Sequence, residues 1–239
     1  MKSGRGMDKE KYLQCWNDDN VVHFFASNRK SLTDVYPSER HFLDTYLKSD
    51  MKVLDYGCAT GGFCNILNNT YQLSPENYWG VDQSPRMIEV ARKLYIAAHF
   101  DTHLSKIQQE NMRFDLVFSF GVLHMTFDWE EILQALYGLS LKYLIFDLRV
   151  INVGPTVEDI SRSFQTLGKA KSENGQDAIP LNVPYIVLNQ QDLGNRLNRI
   201  FGKDDAILRY GYKHPVSETV TSPYSEVEMT AFCVIKQAH

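Results

Sequence analysis

The stretch Val53–Phe63, VLDYGCATGGF, constrains the fold most. A short apolar run is followed at once by Gly57, Gly61 and Gly62, a pattern that predicts a buried strand, a tight turn and the start of a helix. Glycines let the backbone of such a turn approach a ligand, and the helix N-terminus directs N–H groups toward it. The sequence therefore predicts a ligand site at this turn.

Short apolar runs and helical patterns alternate along residues 51–150. Strands are predicted near 51–57, 76–83, 98–103, 113–120 and 142–150, and helices near 61–69, 84–98 and 128–139. Strand, helix and strand in succession predict a mostly parallel sheet with helices on both faces.

The flanking regions have other patterns. Helices are predicted at 9–18 and 37–48, and a further helix at 190–202. Residues 151–190 are rich in Gly, Pro and Asn around one predicted helix near 157–168, which is long for a plain connection and indicates a functional insertion or cap. Strand patterns at 206–216 and 226–237 predict an antiparallel hairpin at the end of the sheet.

Composition excludes several classes of function. The net charge of −4 and the dispersed Lys and Arg residues argue against a nucleic-acid partner, which needs concentrated positive charge. No apolar run is long enough for a membrane span, and none follows the first residues as in a secretory signal, so a cytoplasmic location without a membrane partner is expected. The four cysteines form no CxxC pair, so no zinc site or disulfide framework is indicated.

Two cofactors fit the turn. Gly57, Ala59 and Gly62 are spaced as in a dinucleotide fingerprint that lacks its middle glycine, whereas Asp55, Gly57, Ala59 and Gly61 match an S-adenosylmethionine turn. Asp82, after the second strand, suits the ribose of either cofactor. A carboxylate at Asp55 repels a pyrophosphate but suits a cationic amino-acid ligand, and Ala59 obstructs only a pyrophosphate. Charge and shape favour S-adenosylmethionine, and on that interpretation Gly62 is an ordinary first helical residue.

Three segments together, VLDYGCATGGF, GVDQSPRMIEVAR and FDLVFSFGVLHM, resemble motifs of the class I S-adenosylmethionine-dependent methyltransferases. The resemblance implies a Rossmann-like sheet of seven strands whose last strand is antiparallel. It also implies one domain over 1–239, with an N-terminal helical lid (1–50), a cofactor-binding half (51–150), a substrate-recognition insertion (151–190) and a C-terminal helix and hairpin (191–239). YPSER, residues 36–40, is similar to methyltransferases of sugar and natural-product pathways.

The resemblance also assigns cofactor residues. It places Asp55, Gly57, Ala59 and Gly61 in the turn, Asp82 at the ribose, and Gln83 and Met87 beside the adenine. Ser119, at the end of the fourth strand, joins this set. Tyr36 or Arg40 is a candidate for the cofactor carboxylate, although a helix cap with a surface arginine explains the same residues.

Acceptor-side candidates follow the fourth and fifth strands. His124 is the best-placed general base, with packing beneath a loop as its alternative. Asp147 and Arg149 share one face of a strand, so they either bind the substrate or pair with each other. Tyr185 is a further substrate candidate, as are Tyr210 and Tyr212. His99, Asp101 and His103 are expected to be exposed strand residues rather than metal ligands.

The sequence thus predicts an S-adenosylmethionine-dependent methyltransferase that acts on a hydroxyl or amine of a small molecule. Two alternatives stay open, namely an NAD-dependent oxidoreductase and a non-catalytic partner protein with the same fold. The acceptor and the oligomeric state are not predicted.

Overall fold

The computed structural model of the protein describes residues 9–170 and 179–237. The helices are α1 (Lys9–Asn17), α2 (Asp19–Ser27), α3 (Pro37–Tyr46), α4 (Gly62–Tyr71), α5 (Pro85–Leu94), α6 (Leu104–Gln109), α7 (Trp129–Leu139) and α8 (Gln190–Ile200). The strands are β1 (Val53–Tyr56), β2 (Tyr78–Val81), β3 (His99–Asp101), β4 (Phe114–Ser119), β5 (Ser140–Ile151), β6 (Phe164–Ala170), β7 (Ile179–Pro184), β8 (Leu188–Asn189), β9 (Ala206–Pro215), β10 (Val220–Thr221) and β11 (Glu226–Ile235).

The main sheet has the order β3-β2-β1-β4-β5-β11-β9, and β8 also pairs with β5. Strands β1 to β5 are mutually parallel. Strand β11 is antiparallel to both of its neighbours, β5 and β9. The predicted Rossmann-like sheet with an antiparallel last strand is therefore confirmed.

Helices cover both faces of this sheet because its central strands are apolar on both sides. One core cluster joins the sheet to α3, α4 and α5 through residues such as Phe42, Phe63 and Ile88. The other joins it to α6, α7 and α8, with Leu133 and Leu193 among its members. Between these two layers of helices, the carboxyl ends of β1, β2, β4 and β5 lie at one edge of the sheet, where ligands of open parallel sheets bind.

The predicted helix near 157–168 is wrong. Val157 instead forms a bridge with Val187, and β6 begins at Phe164 and pairs with β7 and β10 in a second, antiparallel sheet. Residues 171–178, within the same predicted insertion, lie outside the described residues. Strand β6 depends on pairing with β7 and with β10, which lies about 50 residues further along the chain, so its local pattern alone does not indicate a strand.

Helices α1 and α2 pack on this small sheet. Cys15 and Val21 from the helices, Leu181 and Val183 from β7, and Met87 from α5 share one apolar cluster. The N-terminal region and the 151–190 segment therefore meet above the edge of the main sheet. None of the helices in 9–170 and 179–237 is long and apolar enough to cross a membrane.

Candidate active site

A cavity of about 500 Å³ opens at the carboxyl ends of the parallel strands. Its size falls within the range typical of small-molecule sites, roughly 300–1,000 Å³. Its walls come from the glycine turn, the end of β2, the loop after β4, β5, the N-terminal helices and the small sheet. They include Tyr12, Trp16, Phe25, Arg29, Tyr36, Gly57, Cys58, Ala59, Thr60, Asp82, Gln83, Met87, His124, Arg149, Gln165, Tyr185 and His214.

The glycine turn is fixed by its backbone. Gly57 has φ +84°, and a Cβ there would lie 2.1 Å from Cγ2 of Val122 in the loop after β4. The N–H groups of Gly57 and Cys58 both donate to the carbonyl of Val81, at 2.7 and 3.1 Å. Ala59 also adopts a left-handed conformation, with φ +47°. The turn therefore holds a sharp bend that brings its backbone to the cavity wall.

Gly62 is not an ordinary first helical residue, contrary to the sequence interpretation. A Cβ at this position would lie 2.9 Å from the carbonyl oxygen of Arg29, which is backbone and cannot rotate away. The glycine thus allows the segment between α2 and α3 to cross closely over the start of α4, and this crossing brings Arg29 to the cavity.

Asp82 stands at the end of β2 and lines the cavity. Its Oδ2 accepts from the N–H of Ala59 at 3.0 Å and its Oδ1 from the N–H of Ser84 at 2.9 Å. Burial raises the pKa of Asp82 to about 6, although both hydrogen bonds lower it. The carboxylate is thereby held in one orientation and retains lone pairs for a ligand. Gln83 and Met87, the two residues expected beside the adenine, also line the cavity.

Asp55 lies beneath the turn and not among the residues that line the cavity. It is 2 % exposed and accepts a 2.5 Å hydrogen bond from the Tyr78 hydroxyl. Burial raises its pKa to about 7. The structure therefore gives Asp55 a place under the turn and no contact with the cavity, in contrast to the direct ligand contact expected from charge.

Of the two residues proposed for a cofactor carboxylate, only Tyr36 lines the cavity. Arg40 points elsewhere, because its Nε pairs with Asp44 Oδ2 at 2.9 Å and half of its side chain is exposed. Gly61 and Ser119 also lie outside the lining. Gly61, at φ +82°, precedes α4, and the Ser119 Oγ is buried without a hydrogen-bond partner among the described residues.

Arg29 is a cavity residue that the sequence reasoning missed. Its guanidinium lies 4.8 Å from the centre of the Phe63 ring, and its Nη2 is 3.4 Å from Glu39 Oε1. A Cβ built on Gly121 would lie 3.5 Å from the same Nη2, so the guanidinium stands between the glycine turn and the end of β4. Burial raises the pKa of Glu39 to about 7, while Arg29 lowers it.

At the other end of the cavity, His124 lies in the loop after β4. It is 1 % exposed, and neither ring nitrogen has a hydrogen-bond partner among the described residues. Burial lowers the pKa of His124 well below its ordinary value, and the positive charge of Arg149 lowers it further. The imidazole is therefore neutral at physiological pH and able to accept a proton. Its ring meets that of Tyr185 edge to face at 5.5 Å.

Asp147 and Arg149 pair with each other, which was one of the two alternatives for this strand. Arg149 Nη1 donates to Asp147 Oδ2 at 2.5 Å, and Asp147 Oδ1 accepts from the N–H of Gly121 at 2.6 Å. Arg149 lines the cavity together with Tyr185, whereas Asp147 lies behind it. The pair therefore presents a cation, and not a carboxylate, to the cavity.

The remaining candidates lie away from the cavity. Tyr210 stacks on His41 at 4.2 Å, and Tyr212 is not among the lining residues. His99 stacks on Trp79 at 4.3 Å, and Asp101 accepts from the N–H groups of Thr102 and His103. No group of three or more potential metal ligands occurs in the described part of the chain.

Comparison with known proteins decides the family. The family model described as a methyltransferase domain matches residues 25–143, which include the glycine turn, Asp82 and His124. The chain belongs to the class I S-adenosylmethionine-dependent methyltransferases. Its cofactor is accordingly S-adenosylmethionine. No curated protein sequence matches this methyltransferase significantly.

Solved structures share the fold of this methyltransferase at low sequence identity. The DhpI complex with SAH is 14 % identical, with a TM-score of 0.57 over 96 % of this chain and 97 % of that one. The N-terminal domain of EvdMO1 with SAH bound is 11 % identical, with a TM-score of 0.54 over 99 % and 100 %. An S-adenosylmethionine-dependent methyltransferase from Mesorhizobium loti is 17 % identical, with a TM-score of 0.50 over 87 % and 99 %.

The site residues missed in the sequence come mainly from the N-terminal helices. Tyr12 and Trp16 lie on α1, and Phe25 lies on α2, a helix that was not predicted. One signal for α2 is present, because Asp18 caps it through Asn20 N–H at 2.9 Å, and aspartate is a preferred N-cap residue. Recognising that cap would have placed Arg29 just beyond the end of the helix.

Proposed function

We propose that this methyltransferase transfers a methyl group to a hydroxyl or amine of a small molecule. The observation that carries the proposal is the imidazole of His124 in the cavity wall, which is neutral and has no hydrogen-bond partner among the described residues. A buried polar group without a partner is costly, and it is explained if the acceptor supplies the missing hydrogen bond.

The cofactor is proposed to bind along the glycine turn. Asp82 accepts hydrogen bonds from the ribose hydroxyls, and Gln83 and Met87 flank the adenine. Arg29 and Tyr36 bind the carboxylate of the methionine part. All five of these residues line the cavity. In this arrangement Gly57 and Ala59 let the backbone approach the ligand, and Asp55, Gly61 and Ser119 shape the turn and strand end from behind.

Methyl transfer is proposed to be a direct displacement at the sulfonium. The acceptor oxygen or nitrogen forms a bond to the methyl carbon, the carbon–sulfur bond breaks, and its electron pair stays on sulfur as a neutral thioether. The protein's main task is to align the nucleophile with the methyl carbon and the leaving sulfur, which lowers the barrier to displacement. For a hydroxyl acceptor, His124 takes the proton and later releases it to solvent.

The roof of the cavity supports a small acceptor. Trp16 and Phe25 from the N-terminal helices, and Gln165 and Val220 from the small sheet, line it from above. We assign these residues, from α1, α2, β6 and β10, to contact with the acceptor. A cavity of about 500 Å³ is of a size that suits a small acceptor beside the cofactor.

A labelling experiment tests the proposal. The protein is incubated with S-adenosylmethionine carrying a deuterated methyl group and with metabolite, protein or nucleic-acid fractions, and products are detected by mass spectrometry. Label is expected in the metabolite fraction with the wild-type protein and strongly reduced with His124→Ala. Label in the protein or nucleic-acid fraction would refute the small-molecule acceptor. Cofactor binding without label in any fraction would favour the non-catalytic alternative.

A further inference from the structure

Some of the charged side chains that line the cavity have an assigned role, and one does not. Four formally charged side chains belong to the lining within the described residues, namely Arg29, Asp34, Asp82 and Arg149. Arg29 and Asp82 lie beside the glycine turn, where the cofactor is proposed to bind. Asp34 is engaged by the N–H groups of Lys30 and Ser31, both at 2.9 Å. The charge that is assigned neither to the cofactor nor to a capping contact is Arg149, whose partner Asp147 lies behind the cavity wall.

Arg149 is built into the wall as a donor. It is 6 % exposed, and Asp147 binds its Nη1 from the side away from the cavity. Tyr185, also in the wall, lies near the guanidinium. A guanidinium carries five N–H donors, so further donors remain for a ligand. Its planar fork matches the geometry of carboxylate and phosphate groups.

Burying this ion pair has a cost that the fold does not require. Apolar residues of similar volume often replace a buried ion pair without loss of stability. A buried arginine kept at the wall of a ligand cavity, with its counter-ion behind it, is better explained by recognition of an anion. Electrostatics agree, because the sulfonium of the cofactor brings a second positive charge to the same cavity.

We infer that the methyl acceptor carries an oxyanion, a carboxylate or a phosphate-type group, which Arg149 binds while the nucleophilic hydroxyl or amine faces His124. This inference rests on the proposed methyltransferase function and specifies its substrate class. The oxyanion is not consumed in the reaction. It also offsets the positive charge that weakens His124 as a base, so a correctly placed acceptor strengthens proton removal.

The test uses small oxyanions that need no knowledge of the acceptor scaffold. The full chain is saturated with S-adenosylhomocysteine, and its melting temperature is followed against acetate, inorganic phosphate and neutral acetamide at constant ionic strength. We expect saturable stabilisation by acetate or phosphate and none by acetamide. A response to acetate alone identifies a carboxylate acceptor, and a response to phosphate alone identifies a phosphate-type acceptor.

Variants of Arg149 test whether this residue binds the oxyanion. Since Arg149→Gln leaves Asp147 buried without its partner, the double variant Arg149→Gln/Asp147→Asn is measured beside it. Both are expected to weaken oxyanion binding about tenfold or more, as loss of a charge-assisted hydrogen bond implies. Arg209→Gln is the matched control, because Arg209 pairs with Glu228 on the sheet edge and does not line the cavity.

Three results would overturn the inference. Acetate and phosphate could act no differently from acetamide, or they could stabilise the double variant as strongly as the wild type. In either case S-adenosylhomocysteine still binds, and the proposed function stands. If S-adenosylhomocysteine itself fails to bind, the proposed function is refuted and the inference falls with it.

Discussion

At the scale of single residues, Arg29 and Arg40 are the two candidate arginines for binding the cofactor carboxylate. Arg29 lies between the glycine turn and the end of β4, whereas Arg40 pairs with Asp44 outside the cavity. If Arg29 binds the cofactor carboxylate, Arg29→Gln removes a charge-assisted hydrogen bond and weakens S-adenosylmethionine binding by about tenfold or more. Arg40→Gln is the control and should leave affinity unchanged. Calorimetric titration measures the affinity of both variants for S-adenosylmethionine. An equal loss of affinity in the two variants would show that Arg29 does not bind the cofactor carboxylate.

His124 gives a second prediction at this scale. His124→Ala should lower turnover of a hydroxyl acceptor by about a hundredfold, the lower end of what a general base contributes, with unchanged affinity for S-adenosylhomocysteine. Because burial depresses the pKa of His124, wild-type turnover should stay level as pH falls to 6.5 and decline only at more acidic pH. Turnover measured across pH checks this. Wild-type rates in the variant would assign His124 to packing alone.

At the scale of elements, the contact between the glycine turn and the loop after β4 sets the shape of the site. Gly57→Ala places a methyl group against Val122 at a left-handed backbone position, so it should destabilise the protein by about 2 kcal/mol or more. Val122→Ala in the same chain should recover part of that loss. Gly138→Ala, in α7 with open space around it, should instead stabilise by about 0.4–1 kcal/mol. Urea unfolding of the three variants and the wild type measures these effects, and equal stability of Gly57→Ala and wild type would contradict the contact.

The sequence predicts some helices and strands correctly and misses others, depending on whether their signals are local. The strands β1, β2, β4 and β5 and the turn after β1 follow from apolar runs and glycines, which are local signals. The sheet of β6, β7 and β10 depends on pairing between segments such as Thr221 and Phe164, which no local pattern reveals. Likewise Asp82 follows from its strand end, but the position of Arg29 depends on the crossing over Gly62.

At the scale of the whole molecule, three acids in and around the site shape the pH dependence of stability. Burial raises the pKa of Asp55 and of Glu39 to about 7 and that of Asp82 to about 6. A folded-state pKa above the unfolded value means that the contribution to stability is present at acidic pH and is lost as pH rises toward 7. His124 acts in the opposite sense, since its pKa is lowered and its contribution is lost as pH falls below about 6.5.

A comparison of variants isolates one of these acids. Relative to wild type, Asp55→Asn should gain in free energy of unfolding between pH 5 and pH 7.5, because the variant lacks the buried group that ionises in this range. Asp115→Asn is the control. Burial raises the pKa of Asp115, but hydrogen bonds including that from Lys142 outweigh it and lower the pKa, so its difference from wild type should not change in this range. Urea unfolding at both pH values measures the differences, and a constant difference for Asp55→Asn would contradict the raised pKa.

The central claim is that the cavity binds S-adenosylmethionine through Asp82, and calorimetric titration tests it most directly. We predict that S-adenosylmethionine binds the wild-type chain, that NAD does not, and that Asp82→Ala and the isosteric Asp82→Asn weaken binding by about tenfold or more. Asp82→Asn keeps a side-chain oxygen for one of the N–H groups of Ala59 and Ser84, so it should melt nearer the wild-type temperature than Asp82→Ala. Binding of NAD without any binding of S-adenosylmethionine would contradict the account.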